Sequence, residues 1–177
     1  MPEERVPSKR ELLAALRASR DEVLATVRAL PPERLEEGRY ENGWNGRQIL
    51  AHLASIEWSY PRLIDIARGA AAAGAGTSGG APAGGDAPTR SMRGGNDAYN
   101  DRQVAKRAHV SPADMLAEFE RNRAATIAAV EAAEDELFAR PIRSAGGVTG
   151  PLAVVFHQVA VMHVLGHARD IAGTGWG

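Results

Sequence analysis

At 177 residues the chain has the length of one ordinary domain, and its apolar side chains are mainly Ala and Leu with only 5% aromatics, a helix-forming rather than strand-forming palette. Lys and Arg number 21 against 22 Asp and Glu, which leaves no basic stripe for a nucleic acid, and the absence of cysteine excludes disulfides, zinc–thiolate sites and a cysteine nucleophile. No apolar run approaches the roughly 18 residues of a membrane span, and MPEERVPSKRELL lacks the apolar segment of a secretory signal, so a cytoplasmic protein without membrane contact is expected.

The pattern Ser8-Lys9-Arg10-Glu11 is a capping box, in which hydroxyl and carboxylate satisfy amides that the first helical turn leaves unpaired. It predicts a helix over 9–30, with Leu12, Leu13, Leu16, Val23, Leu24, Val27 and Leu30 as one apolar stripe and Pro31-Pro32 as its stop. Asn45 can cap a second helix, with Gln48 in the reciprocal position, and Ile49, Leu53, Ile56, Tyr60, Leu63 and Ile64 mark its inner face as far as Arg68 and Gly69. Residues 69–95, rich in Gly, Ala, Pro and Ser, read as a long flexible loop that cannot bury a face. A short helix over Asn96 to Arg107 follows.

Ser111-Pro112-Ala113-Asp114 supplies an N-cap, a proline at the first helical position and an acid in the first turn. Leu116, Phe119, Ile127, Val130 and Leu137 then form a third stripe ending near Arg140-Pro141. After a Gly-rich turn, Ala145 to Gly150, Pro151 opens a fourth helix that runs to Ala172 and closes on Gly173. Four such stripes bury one another most simply as a single all-α domain over 1–177, a four-helix bundle with the long loop between its second and third helices.

Among the five histidines, His163 and His167 are four apart, a rotation of about 40°, so both rings reach one ion. Leu152, Phe156 and Val159 share their side, which points the pair into the bundle; His52, between Ile49 and Ile56, also faces inward. Three separate buried imidazoles are costly as unpaired polar groups, whereas one divalent metal satisfies a nitrogen of each. For the three to meet, the second and fourth helices must run antiparallel. The alternative is that each ring is a core histidine bonded to a carbonyl. His157, about 120° from the pair, reads as a packing or surface residue, and His109 as a solvated one. Asp170 can orient His167 or form a surface ion pair with Arg169, of which the surface role is expected. Glu57, about 140° from His52, is expected to leave the metal face. Trp44 and Trp58 can wall a pocket or simply pack.

The stretches SKRELLAALRASRDEVLATVRALPPERL, NGWNGRQILAHLASIEW, GGNDAYNDRQVAKR and HVLGHARDIAG, in that order, resemble the DinB-like superfamily of bacterial metal-dependent four-helix bundles. The similarity is greatest to its DfsB-like and mycothiol-dependent maleylpyruvate isomerase-like branches, although FHQVAVM before the last pair replaces a more polar lead-in of the DfsB-like branch. The resemblance implies that His52, His163 and His167 bind zinc or nickel, and that Asn96 and Asn100 lie near the cavity, while helix capping explains Asn96 equally well. It also implies a small-molecule substrate, with thiol-dependent transfer or isomerisation that uses a low-molecular-weight thiol such as mycothiol or bacillithiol. The DfsB-like branch implies instead a hydrolase protecting against a reactive small molecule. A noncatalytic metal-containing binding protein is the remaining alternative, and a homodimer is the family's expectation.

Overall fold

The computed structural model describes residues 5–37, 44–74 and 98–173. The first helix, α1 (Lys9–Ala29), begins on the expected box: Ser8 Oγ accepts from the Glu11 amide and the Glu11 carboxylate accepts from the Ser8 amide. Its end is followed by a short 3-10 turn, Pro32–Glu36. The second helix, α2 (Gly46–Ile56), carries the equivalent box between Asn45 and Gln48. Gly46 allows a close approach, since a Cβ there would lie 3.3 Å from the backbone of Leu35, tighter than ordinary contact.

The expected second helix is in fact two. A 3-10 turn, Glu57–Ser59, separates α2 from α3 (Arg62–Gly74). Pro61 is the cause: it has no amide for the carbonyl four residues back, and its ring crowds that carbonyl, so Tyr60 bonds Glu57 and Leu63 bonds Tyr60 in tight three-residue steps. Helical backbone also continues through 69–74, so the loop expected from residue 69 does not start there; 75–95, and Asn96 with them, lie outside the described residues. A helix over 98–106, α4, precedes α5 (Pro112–Ala132), which Ser111 caps by accepting from the Asp114 amide.

The third stripe was expected to stay helical to Arg140, but α5 ends at Ala132 and a 3-10 turn, Asp135–Ala139, holds the rest. No glycine or proline marks that stop. Lys9 Nζ donates to the carbonyls of Glu131 and Ala133 at 2.8 and 2.7 Å, so a cation from the start of α1 satisfies the helix end. A two-stranded antiparallel hairpin, β1 (Pro141–Arg143) and β2 (Thr149–Pro151), pairs Ile142 with Gly150 across a turn in which Gly147 takes φ 85.

The last helix is also interrupted. It comprises α6 (Leu152–His157), a π turn (Gln158–Met162) and α7 (His163–Ala172), closed by Gly173 at φ 74. The long helices form one bundle in which α1 and α2 each pack against both α5 and α7. Leu16, Ile49, Leu53, Phe119, Val130 and Phe156 are wholly buried between them. None of the described helices is long and apolar enough to cross a membrane.

Candidate metal centre

The structure brings His52 from α2 together with His163 and His167 from α7: one ring nitrogen of each lies within 4.8 Å of the other two. Ring centroids of His52 stand 5.6 Å from His163 and 5.1 Å from His167, close to perpendicular in both cases. His52 and His167 are buried, whereas His163 is exposed. That last point corrects the expectation that the pair points wholly into the bundle. The phase extrapolated from Leu152, Phe156 and Val159 assumes an unbroken α-helix, but the π turn inserts one residue and so places His163 about 100° away from that phase. His163 thus faces the solvent side of the cluster.

The π turn also orients that ring. The His163 amide bonds the Gln158 carbonyl five residues back instead of that of Val159, and the His163 side chain is hydrogen-bonded to the Val159 backbone. Because this bond favours the charged ring, the acceptor is the carbonyl that the amide gave up. His167 Nδ1 lies 3.2 Å from Asp170 Oδ2, and Asp170 is only 5% exposed, which corrects its expected surface role. Phase explains the difference: Asp170 falls with His163 and His167 on one flank of α7, beside the buried stripe of Val164, Ala168 and Ile171.

His163 Nε2 and His167 Nε2 are 3.0 Å apart; in the tautomers that place the His167 proton on Nδ1, toward Asp170, and the His163 proton toward the Val159 carbonyl, both Nε2 atoms would present lone pairs. A cation beside them relieves that opposition. His52 Nδ1 is buried with no hydrogen-bond partner among the described residues. Burial lowers the His52 pKa to about 3, helped by the other two rings, and lowers that of His167 to about 4. Burial lowers His163 to about 4 as well, with His167 adding to the shift, even though the residue as a whole keeps exposed surface. All three are therefore neutral at pH 7 with lone pairs available, which is the donor set that a divalent ion of the zinc or nickel type takes. Trp44, half-buried, tilts against His52 at 5.3 Å and walls one side.

Trp58 does not contribute: it is 42% exposed, with the Arg62 guanidinium 4.4 Å above its ring. His157 is half-buried and His109 exposed, both apart from the cluster, and Asn100 is half-buried in α4. Glu57 does leave the metal face, for an unexpected destination. It is wholly buried against Arg123, also wholly buried, with Oε1 2.6 Å from Nε. Burial pushes the Glu57 carboxyl up to about 7 against the opposing pull of Arg123. Sequence reasoning missed Arg123, yet the signal exists, because position 123 continues the stripe of Leu116, Phe119, Ile127 and Val130 in phase and is filled by a cation.

The sequence profile described as the mycothiol maleylpyruvate isomerase N-terminal domain matches residues 16–172. No curated protein matches the chain. Among solved structures it is similar to YfiT from Bacillus subtilis, at TM-score 0.64 and 16% identity over 98% of this chain and 90% of that one. YfiT is described as "a probable metal-dependent hydrolase with an unusual four-helix bundle topology".

Proposed function

This chain belongs to the mycothiol maleylpyruvate isomerase N-terminal domain family, a DinB-like four-helix bundle, and from that premise we propose a metal-dependent enzyme acting on a small molecule, with a divalent ion held by His52, His163 and His167. One observation carries the reading: three neutral imidazoles converge within 4.8 Å while one of them, His163, remains open to solvent. No Asp, Glu or further His joins the cluster among the described residues, which leaves coordination positions for a substrate and favours a catalytic over a closed structural site.

When bound, a divalent ion supplies Lewis acidity, lowering the pKa of a coordinated thiol or water and polarising a carbonyl. The chain's own groups prepare for that. Asp170 and the Val159 carbonyl hold the rings of His167 and His163 with their lone pairs facing the centre. Trp44 lies against His52, Ile49 and Leu53 on the same helix are wholly buried, and His163 is the exposed member of the three.

The finer reading is thiol-dependent transfer or isomerisation. Its support is the family's description; since the chain holds no cysteine, the thiol of such a reaction would come from outside as a low-molecular-weight cosubstrate. The description of YfiT supports a second reading, hydrolysis without a thiol. Elemental analysis of purified protein tests the common premise: about one zinc or nickel per chain is expected, with much less in His163→Ala, and equally low content in both overturns it. Turnover of electrophiles by the metal-loaded protein with and without mycothiol or bacillithiol then separates the readings, since only the first requires the thiol.

A further inference from the structure

Glu57 lies five residues after His52 and Ala160 three before His163, and a single side chain holds both. The Arg123 guanidinium ion-pairs Glu57, with Nε 2.6 Å from Oε1 and Nη2 3.1 Å from Oε2. Nη2 also donates to the Ala160 carbonyl at 2.8 Å, and Nη1 to the Leu16 carbonyl and Ser19 Oγ at 3.2 and 3.0 Å. One buried cation therefore joins α1, the turn after α2, α5 and the π turn before α7.

Stability is a weak account of this arrangement, because a buried ion pair is often matched or exceeded by apolar residues of similar volume. Its position offers a better one. Ala160 sits inside the π turn, the one-residue insertion that sets the angular place of His163 and His167 and frees the Val159 carbonyl for the His163 ring. Such an insertion is rare in helices and concentrates at functional sites. A residue that grips its backbone and the segment just beyond His52 at once controls the register of one ligand-bearing helix against the other.

We propose that Arg123 is a positioning residue for the metal centre: by holding the Ala160 carbonyl and Glu57 together it fixes where His163 and His167 stand relative to His52. The inference rests on the metal-binding reading above and adds a residue that touches no ligand atom.

The test is titration of metal-free protein with Co2+, reading visible absorption and competition with a chelator, for the wild type, Glu57→Gln/Arg123→Met and Arg123→Lys, with circular dichroism for helix content. The double variant removes both charges together, so no buried charge is left unpaired. It is expected to stay helical and to bind Co2+ about tenfold or more weakly, with altered band shape, the size seen when the groups that orient metal ligands are lost. Arg123→Lys keeps a charge for Glu57 but lacks the fork that reaches Ala160 as well, and is expected to fall between. A purely structural role lowers the unfolding temperature and leaves the Co2+ affinity and spectrum of the folded protein as in the wild type; that result overturns the inference. Should the double variant not fold, Arg123→Lys decides by the same reading. A wild type that binds no Co2+ overturns the metal-binding reading and this inference with it, whereas unchanged binding in the variants overturns this inference alone.

Discussion

Asp170 Oδ2 stands 3.2 Å from Nδ1 of His167, three residues earlier on the same helix, and both side chains are buried. A carboxylate in that place fixes the tautomer and face of the imidazole and strengthens its far nitrogen as a donor. Asp170→Asn, which keeps the shape and loses the charge, is expected to weaken zinc or nickel binding by about 10–100-fold while leaving helix content unchanged. Competition with a fluorescent chelator reads this directly, and an unaltered affinity would leave Asp170 as a packing residue.

Ligand substitutions should differ sharply by position. His52→Ala, His163→Ala and His167→Ala are each expected to lose most of the bound metal, whereas His109→Ala, at an exposed position outside the cluster, should retain the wild-type content. Mass spectrometry of the metal in desalted protein makes the comparison; loss in His109→Ala would point to a different site.

Acid should act on the metal-free protein with a definite sign. The pKa of His52 is lowered from 6.5 to about 3 by burial, and that of His167 from 6.5 to about 4. Between pH 6.5 and about 4 the unfolded chain therefore binds protons that the folded rings refuse, so the histidines' contribution to stability declines as pH falls through that window; Glu57, raised from 4.5 to about 7, opposes them between those values with one group against three. The midpoint of thermal unfolding, followed by calorimetry, should drop across this range, and less steeply in His52→Gln. Equal slopes in the two proteins would contradict the buried, neutral state of His52.

Arg123 and Glu57 should be strongly coupled. Arg123→Met alone strands a wholly buried carboxylate and is expected to cost about 3–5 kcal/mol, while adding Glu57→Gln recovers a large part of that loss. Urea denaturation of the two single variants and the double variant closes the cycle. Additive losses would mean that the pair does not interact energetically.

Gly166 lies inside α7 between the two histidines, and a Cβ there would meet nothing within 4 Å. Gly166→Ala is accordingly expected to stabilise the protein by about 0.5–1 kcal/mol with metal content unchanged. A loss of stability in urea would show that the space beside Gly166 is used by something that the alanine displaces.

How far the sequence reaches can be seen residue by residue. Both capping boxes, Ser8 with Glu11 and Asn45 with Gln48, are legible because the groups that satisfy each other are three positions apart in the chain. The stripes of α1 and α5 and the closing Gly173 are legible for the same reason, since periodicity and caps are local facts. The break at Pro61 carries a visible sign, a proline inside a helical pattern, which the continuing apolar phase of Tyr60, Leu63 and Ile64 masks.

By itself, then, the sequence determined an all-helical bundle and three histidines on helices able to face one another. Tertiary structure alone decided that α5 stops where Lys9 reaches its carbonyls, that the last helix carries a π turn exposing His163, and that Asp170, Glu57 and Arg123 are buried. The physical reason is common to these cases. A helix end, an inserted residue or a buried charge is stable only when a distant side chain satisfies the backbone or the charge it leaves open, as Arg123 of α5 does for Glu57 and Ala160, 66 and 37 residues away, and no short-range pattern records a partner at that separation.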